Sequence, residues 1–262
     1  VEGITEYLPV SSTGHLILTQ RAMGIENSEE ANAYVICIQL GAIVAVLGLY
    51  FSRVKQMALG VLGRDKAGRH LLIDILVAFV PAAVIGLLFN DWMEEKLYGL
   101  WPIVAAWFVG GIAILVVSWL GQEKFPPSGL DLDHLNPRRA FYIGLLQCIA
   151  LWPGVSRSLV TIVGGVLVGL SLPAAVEFSF LLGVITLGAA TAYKAVQFGP
   201  AMLQAYGWGS LITGFITGMI SAIVAVKWLV AYLNRHGLSI FGYYRVALAI
   251  VVAGLILGGV LQ

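Results

Sequence analysis

Long apolar runs separated by short polar segments constrain this chain more than any other feature. Residues 33–51, 70–89 and 100–120 each approach the ~20 residues that a helix needs to cross a bilayer. Beyond a polar linker at 121–139, three more runs cover 174–193, 209–233 and 241–261. Another apolar stretch, 140–152, is broken by Pro153-Gly154 and resumes to residue 170. Only 11% of the 262 residues are charged and 59% are hydrophobic, whereas a soluble domain carries about 25% charged residues. The pattern predicts an all-α polytopic membrane protein, and the 31 glycines suit closely packed transmembrane helices. A net charge of +1 gives no basis for a nucleic-acid partner. Cys37 and Cys148 both lie in apolar runs, so neither a disulfide nor a metal site is expected from them.

The runs fall into two sets of like order, each a proline-broken segment followed by three full spans. Pro9 and Ser12 match Pro153 and Ser156 at an offset of 144, and Gly110 matches Gly254 at the same offset. Leu40-Gly41 matches Leu182-Gly183 at an offset of 142. A single membrane domain over 1–262 is therefore expected, with repeats at 1–125 and 136–262. The second repeat has a helix before its break and the first has only eight residues before Pro9. A further helical segment of about ten to fifteen residues is expected to precede Val1, since a helix needs several turns to hold.

Charge orients these spans. If each broken segment enters and leaves on one side, then 52–70, 121–139 and 227–245 share a side. They hold five, three and three Lys or Arg, against Arg21, Lys96 and Lys194 opposite. The positive-inside rule makes the first side cytoplasmic. The two halves are then inverted copies, each contributing a re-entrant hairpin whose broken helix builds a site near the midplane. The expected fold is six transmembrane helices plus two re-entrant helix hairpins in an inverted-topology repeat.

Chemistry concentrates at the two breaks. Glu2 and Glu6 stand at i and i+4, on one face of a helix. Two carboxylates at membrane depth call for a divalent cation, a shared proton or an arginine. Pro9 stops the helix, and Ser11-Ser12-Thr13-Gly14 supplies hydroxyls and the free amides of a restarting helix, a ready anion site. With Ser12 near the cap, His15 lies three residues on, and a hydroxyl with a histidine in reach is the minimum for a base-activated nucleophile. A simpler reading bonds each hydroxyl to its own backbone and His15 to a neighbouring helix.

The second break, Pro153-Gly154-Val155-Ser156-Arg157-Ser158 with Thr161 one turn on, is complementary. Arg157 is the one basic residue that this topology places at membrane depth. It calls for an anion, which a phosphate supplies bidentately, or for an ion pair with Glu2 or Glu6. Gln147 precedes the break and is placed to line a site. Asp74 and Glu177, the other ionisable groups in the spans, read as packing or interfacial residues.

Glu2-Gly-Ile-Thr-Glu6, Tyr7-Leu-Pro-Val-Ser-Ser-Thr-Gly-His15 and Pro153-Gly-Val-Ser-Arg157-Ser158 with Thr161 resemble the undecaprenyl-pyrophosphate phosphatases, or bacitracin-resistance proteins, over the whole chain. The resemblance implies a membrane enzyme that removes the terminal phosphate of undecaprenyl diphosphate, recycling the lipid carrier for peptidoglycan synthesis. It implies the bacterial inner membrane, a site open to the outer side, a divalent metal ion (magnesium or calcium) and a homodimer. Ser12 would be the nucleophile and His15 its base or proton shuttle. Glu6 would orient His15 or hold the metal, with Glu2 as a second metal ligand. Arg157 would stabilise the transferred phosphoryl group. Ser11, Thr13, Gly14, Gln147, Gly154, Ser156, Ser158 and Thr161 would line the diphosphate cradle. The runner-up is a lipid-phosphate or anion transporter or flippase, which shares the broken-helix architecture but has no need of a base beside a hydroxyl.

Overall fold

A computed structural model describes residues 1–25, 29–119, 129–233 and 235–261. Glu26, Lys124 and the Pro126-Pro127 pair of the two expected loops lie outside the described residues, as do the repeat limits at 125 and 262. The described elements are helical: α1 (Glu2–Thr5), α2 (Ser12–Ala22), α3 (Glu29–Leu49), α4 (Phe51–Val61), α5 (Lys66–Leu97), α6 (Leu100–Val117), α7 (Pro137–Gln147), α8 (Arg157–Leu167), α9 (Leu172–Leu233) and α10 (Ser239–Leu257). Short 3₁₀ turns cover Leu132–His134 and Cys148–Leu151.

Lys66–Met93, Leu172–Leu233 and Ser239–Leu257 are each long and apolar enough to cross a membrane. Their outer faces are apolar too, with Leu87 and Leu88 71% and 72% exposed and Val196 84% exposed. Water would penalise such a surface, whereas a bilayer matches it, and the chain is accordingly read as a polytopic membrane protein.

Two connections differ from expectation. The basic segment 52–70, read as a loop, is mostly α4 and the start of α5. Phe51, Val54, Met57, Ala58 and Val61 recur at helical spacing, giving α4 an apolar stripe beside Arg53 and Lys55. The helix turns 85° from α3, as a helix with one polar and one apolar face does where a span meets the bilayer surface. Asp65 then caps α5 by accepting the Gly68 amide at 2.9 Å. The segment 194–208, read as a connection, continues α9 as helix until Gly207. There φ is 68° and ψ 166°, a conformation favoured by glycine, which divides α9 into two limbs.

Close backbone approach positions the site. Gly41 of α3 sits against the Phe215 carbonyl of the second α9 limb, where a Cβ would clash. Small residues allow such approach in membranes, where dispersion replaces the hydrophobic effect between helices. Tyr7, fully buried after α1, donates to the Ala42 carbonyl at 3.1 Å and meets Phe180 edge-on at 5.0 Å between ring centres. The first break is thereby anchored to α3 and the first α9 limb. On α7, Asn136 caps by accepting the Arg139 amide, with Pro137 at the first helical position.

Arg53 joins Glu177 at 2.8 Å and Asp133 at 2.7 Å. Glu177 is thus an ion-pair partner tying α9 to α4, in keeping with its interfacial reading. Asp74 is buried on α5 with its Oδ1 unpartnered.

Candidate active site

The two breaks are built alike. Ser11 caps α2 and Ser156 caps α8, with φ of 71° and 78°, and among the described residues no other non-glycine has positive φ. Backbone in this region is strained for a residue with a Cβ and persists where its surroundings over-determine it. Ser11 Oγ accepts the Gly14 amide at 3.5 Å and Ser156 Oγ accepts the Leu159 amide at 3.3 Å. Both helices run for 11 residues, and each is followed by a positive-φ glycine, Gly24 and Gly169.

The caps correct the register between the breaks. Ser11 corresponds to Ser156 at an offset of 145, because Gly154 adds one residue between proline and cap. The counterpart of Ser12 is therefore Arg157, and each is the first residue of its helix.

Irregular backbone at membrane depth is tolerated only where protein groups satisfy it, and here the breaks satisfy each other. Ser11 Oγ accepts the Gly154 amide at 3.1 Å, and Ser158 Oγ donates to the Leu8 carbonyl at 3.1 Å. A hydroxyl has one proton to give, so the 3.1 Å contact between Ser156 and Ser158 runs from Ser156 to Ser158. Trp107 Nε1 donates to the Val10 carbonyl at 3.0 Å. Its ring lies against Gly14, where a Cβ would collide.

At the junction, Ser12 Oγ donates to Glu6 Oε2 at 2.5 Å, and Arg157 Nη2 donates to Glu6 Oε1 at 2.8 Å. All three are largely buried, with the Arg157 and Glu6 side chains 11% and 5% exposed. Arg157 Nη1 donates to the Ser179 carbonyl at 2.9 Å, and its guanidinium carbon lies 5.7 Å from the Tyr7 ring centre. Gly183 clears space for the guanidinium, and Nε has no partner. Thr161 donates to the Arg157 carbonyl at 2.8 Å and lies 2.7 Å from the Ser179 hydroxyl.

His15 departs from the role of base to Ser12, since Glu6 holds that hydroxyl. His15 Nδ1 is 2.7 Å from the Ser11 carbonyl, an acceptor only, so Nδ1 carries a proton. Nε2 faces the Tyr244 hydroxyl at 2.7 Å, with the two rings stacked. Nor does Glu6 orient His15, whose two ring nitrogens meet the Ser11 carbonyl and the Tyr244 hydroxyl. Gln147 joins α5 and α9, through the Ala78 carbonyl and Thr186. Ser11, Ser156, Ser158 and Thr161 spend hydrogen bonds holding the breaks, whereas Thr13 is half-buried on α2.

Two residues escaped the sequence reading. Tyr244 carried no signal beyond being aromatic. Arg245, counted there as a loop charge, is fully buried on α10 and donates to carbonyls of both breaks. It is a second arginine at the depth of the site. A guanidinium four residues into an apolar run was the available signal.

Glu2 is buried with both carboxylate oxygens unpartnered, one turn before Glu6 and within electrostatic reach of Glu6 and Gln39. Orphaned buried carboxylate oxygens suit a divalent cation. Among the described residues no group of three or more His, Cys, Asp or Glu is placed to hold a metal. Such an ion would take its remaining oxygens from water and a bound phosphate, as magnesium commonly does.

The chain is thus a helical membrane protein in which two broken helices meet around a buried Ser–Glu–Arg cluster. The chain belongs to the bacitracin resistance protein BacA family, whose model matches residues 1–251. It is 43% identical to the undecaprenyl-diphosphatase of Aquifex aeolicus over 257 residues, covering 98% of this chain and 95% of the relative. It is also 43% identical to the undecaprenyl-diphosphatase of Sorangium cellulosum over 253 residues, covering 96% and 82%. Undecaprenyl-diphosphatase 1 of Chromobacterium violaceum is 41% identical over 254 residues, covering 97% and 92%.

Proposed function

We propose that this protein hydrolyses undecaprenyl diphosphate to undecaprenyl phosphate and inorganic phosphate, returning the lipid carrier to peptidoglycan synthesis. The observation that carries the reading is the buried chain from Ser12 through Glu6 to Arg157, in a member of a family whose relatives are named undecaprenyl-diphosphatases. Glu6 takes the Ser12 proton as Oγ bonds to the terminal phosphorus. The bond from that phosphorus to the bridging oxygen breaks, and undecaprenyl phosphate leaves. Water then bonds to that phosphorus as its bond to Oγ breaks, Glu6 returns its proton to Oγ, and phosphate departs with the water oxygen and both of its protons. Arg157, whose Nε has no partner, stabilises the phosphoryl oxygens throughout, the dominant kind of contribution in such reactions.

Glu2 and Glu6 would hold a divalent ion, which when bound neutralises charge on the diphosphate oxygens. His15 relays protons through Tyr244 at the margin of the site. In this reading α3, α5, α6, the two α9 limbs and α10 span the bacterial cytoplasmic membrane, while α1–α2 and α7–α8 re-enter. The like-built breaks support inverted repeats at 1–125 and 136–262, and the basic bias supports a site opening to the outer face. A lipid-phosphate or anion carrier would need Arg157 but not a carboxylate on the Ser12 hydroxyl.

Phosphate release from undecaprenyl diphosphate in detergent tests the reading, with wild type, Ser12→Ala and Arg157→Ala, each with and without chelator. Release from wild type that both substitutions abolish is expected. No release with metal restored would count decisively against it. Turnover kept by Ser12→Ala but lost by His15→Ala would replace the serine with an activated water.

A further inference from the structure

We infer that Arg245 is a positioning residue that sets the alignment of Ser12 with Arg157 by gripping both breaks through their carbonyl oxygens. Its Nη1 donates to Pro9 at 3.3 Å and to Val155 at 3.0 Å. Nη2 donates to Gly154 at 2.8 Å and to Ala106 at 2.9 Å. One fully buried guanidinium thus ties the first break, the second break and α6 to α10. Among the described residues it forms no ion pair. Its acceptors in the breaks are carbonyls that a broken helix leaves without an N–H partner, and such groups cost free energy when buried unsatisfied.

The fork explains the residue type. Five donors in a rigid plane can serve four carbonyls from three segments at once, whereas a lysine offers three donors from a single point. The surrounding chain is shaped for it, since a Cβ on Gly110 of α6 would strike Nη2. Pro9 and Val155 lie two and one residues before the caps Ser11 and Ser156. Ser12 and Arg157 follow those caps directly, so a shift at the carbonyls moves the reacting groups relative to one another.

Arg245→Lys in the full chain, purified in detergent, tests this by two measurements. The kinetic arm rests on the hydrolytic reading of the site; the exchange arm does not. We expect kcat for phosphate release to fall about 100-fold, the scale of a 1 Å misplacement, with KM within about threefold of wild type because the side chain does not touch substrate. Amide hydrogen exchange is expected to speed up in both 8–12 and 152–158 while α3 and α5 keep wild-type protection. Gly110→Ala, which presses on the guanidinium without removing it, is expected to give the same pattern more weakly, and it stands in if Arg245→Lys does not fold.

Unchanged kcat would overturn the assignment, as would a raised KM at constant kcat. Faster exchange in one break only, or across all helices alike, would overturn it too. Wild type that releases no phosphate would instead remove the hydrolytic reading, and exchange in the two breaks would then decide the role of Arg245 alone.

Discussion

Arg157 Nη2 meets Glu6 Oε1 at 2.8 Å across 151 residues of sequence. The bond joins the first residue of α8 to the C-cap residue just after α1, and the same Glu6 accepts the Ser12 hydroxyl through its other oxygen. One carboxylate therefore connects the proposed nucleophile to the proposed phosphate ligand.

Arg157→Ala should lower turnover by about 10²–10³-fold, the range seen when a transition-state donor is removed. It should also lower the unfolding midpoint, because losing one partner of a buried pair leaves the other uncompensated, at a cost of about 3–5 kcal/mol. Adding Glu6→Gln should recover part of the midpoint and none of the turnover. Steady-state phosphate release and thermal unfolding in detergent read both, and turnover within threefold of wild type would remove Arg157 from the reaction.

Glu6→Gln keeps the shape of the side chain and loses its basicity, so a drop of about 10²–10⁴-fold is expected. Ser12→Ala should cost as much, and the double variant little more, since residues acting as one unit are non-additive. Additive losses would separate the two roles.

Glu2→Gln should move stability and activity in opposite directions. Its carboxylate is buried without a partner, so neutralising it should hold or raise the unfolding midpoint. Activity should fall, and the magnesium concentration for half-maximal rate should rise. A metal titration of both proteins checks this, and an unchanged titration would place the cation elsewhere.

Two glycines separate catalysis from packing. In Gly183→Ala the new methyl meets the Arg157 guanidinium and pushes it from Glu6 and the Ser179 carbonyl, so the turnover loss should exceed that of Gly41→Ala, with some loss of midpoint from the disturbed pair. In Gly41→Ala it meets the Phe215 carbonyl, which is backbone, and a loss of about 1–3 kcal/mol is expected from overpacking. The opposite ranking of the two effects would contradict the geometry.

Tyr244→Phe keeps the ring stacked on His15 and removes its hydrogen bond. Turnover should fall roughly fivefold, the equivalent of about 1 kcal/mol for one neutral hydrogen bond. A wild-type rate across the pH profile would show that His15 works without this contact.

The apolar runs, the proline breaks and the residue types Glu2, Glu6, Ser12, His15 and Arg157 were all legible in the chain. Each is a local property: hydropathy over some 20 residues marks a span, and proline removes a helical hydrogen bond, which ends the helix at Pro9 and Pro153 although α5 runs on through Pro81. Pairings between elements were not legible. Aligning Pro9 with Pro153 sets Ser12 opposite Ser156, but the extra residue at Gly154 moves the caps to Ser11 and Ser156 and sets Ser12 opposite Arg157. His15 is three residues from Ser12 in sequence, yet its ring turns to Tyr244 on α10, since helical spacing places a residue on a face without choosing what covers that face.

Sequence alone determined that this chain belongs in a bilayer and where its polar chemistry concentrates, because a low-dielectric solvent leaves few places for carboxylates, hydroxyls and guanidinium groups. Which donor meets which acceptor came from the packing of the helices. Glu6 took both Ser12 and Arg157, and Arg245 became the buried clamp on the breaks instead of a loop charge. Those choices follow from how helices cross and from the cost of leaving the carbonyls of the breaks and the Glu6 carboxylate unpartnered, which links residues far apart in the chain.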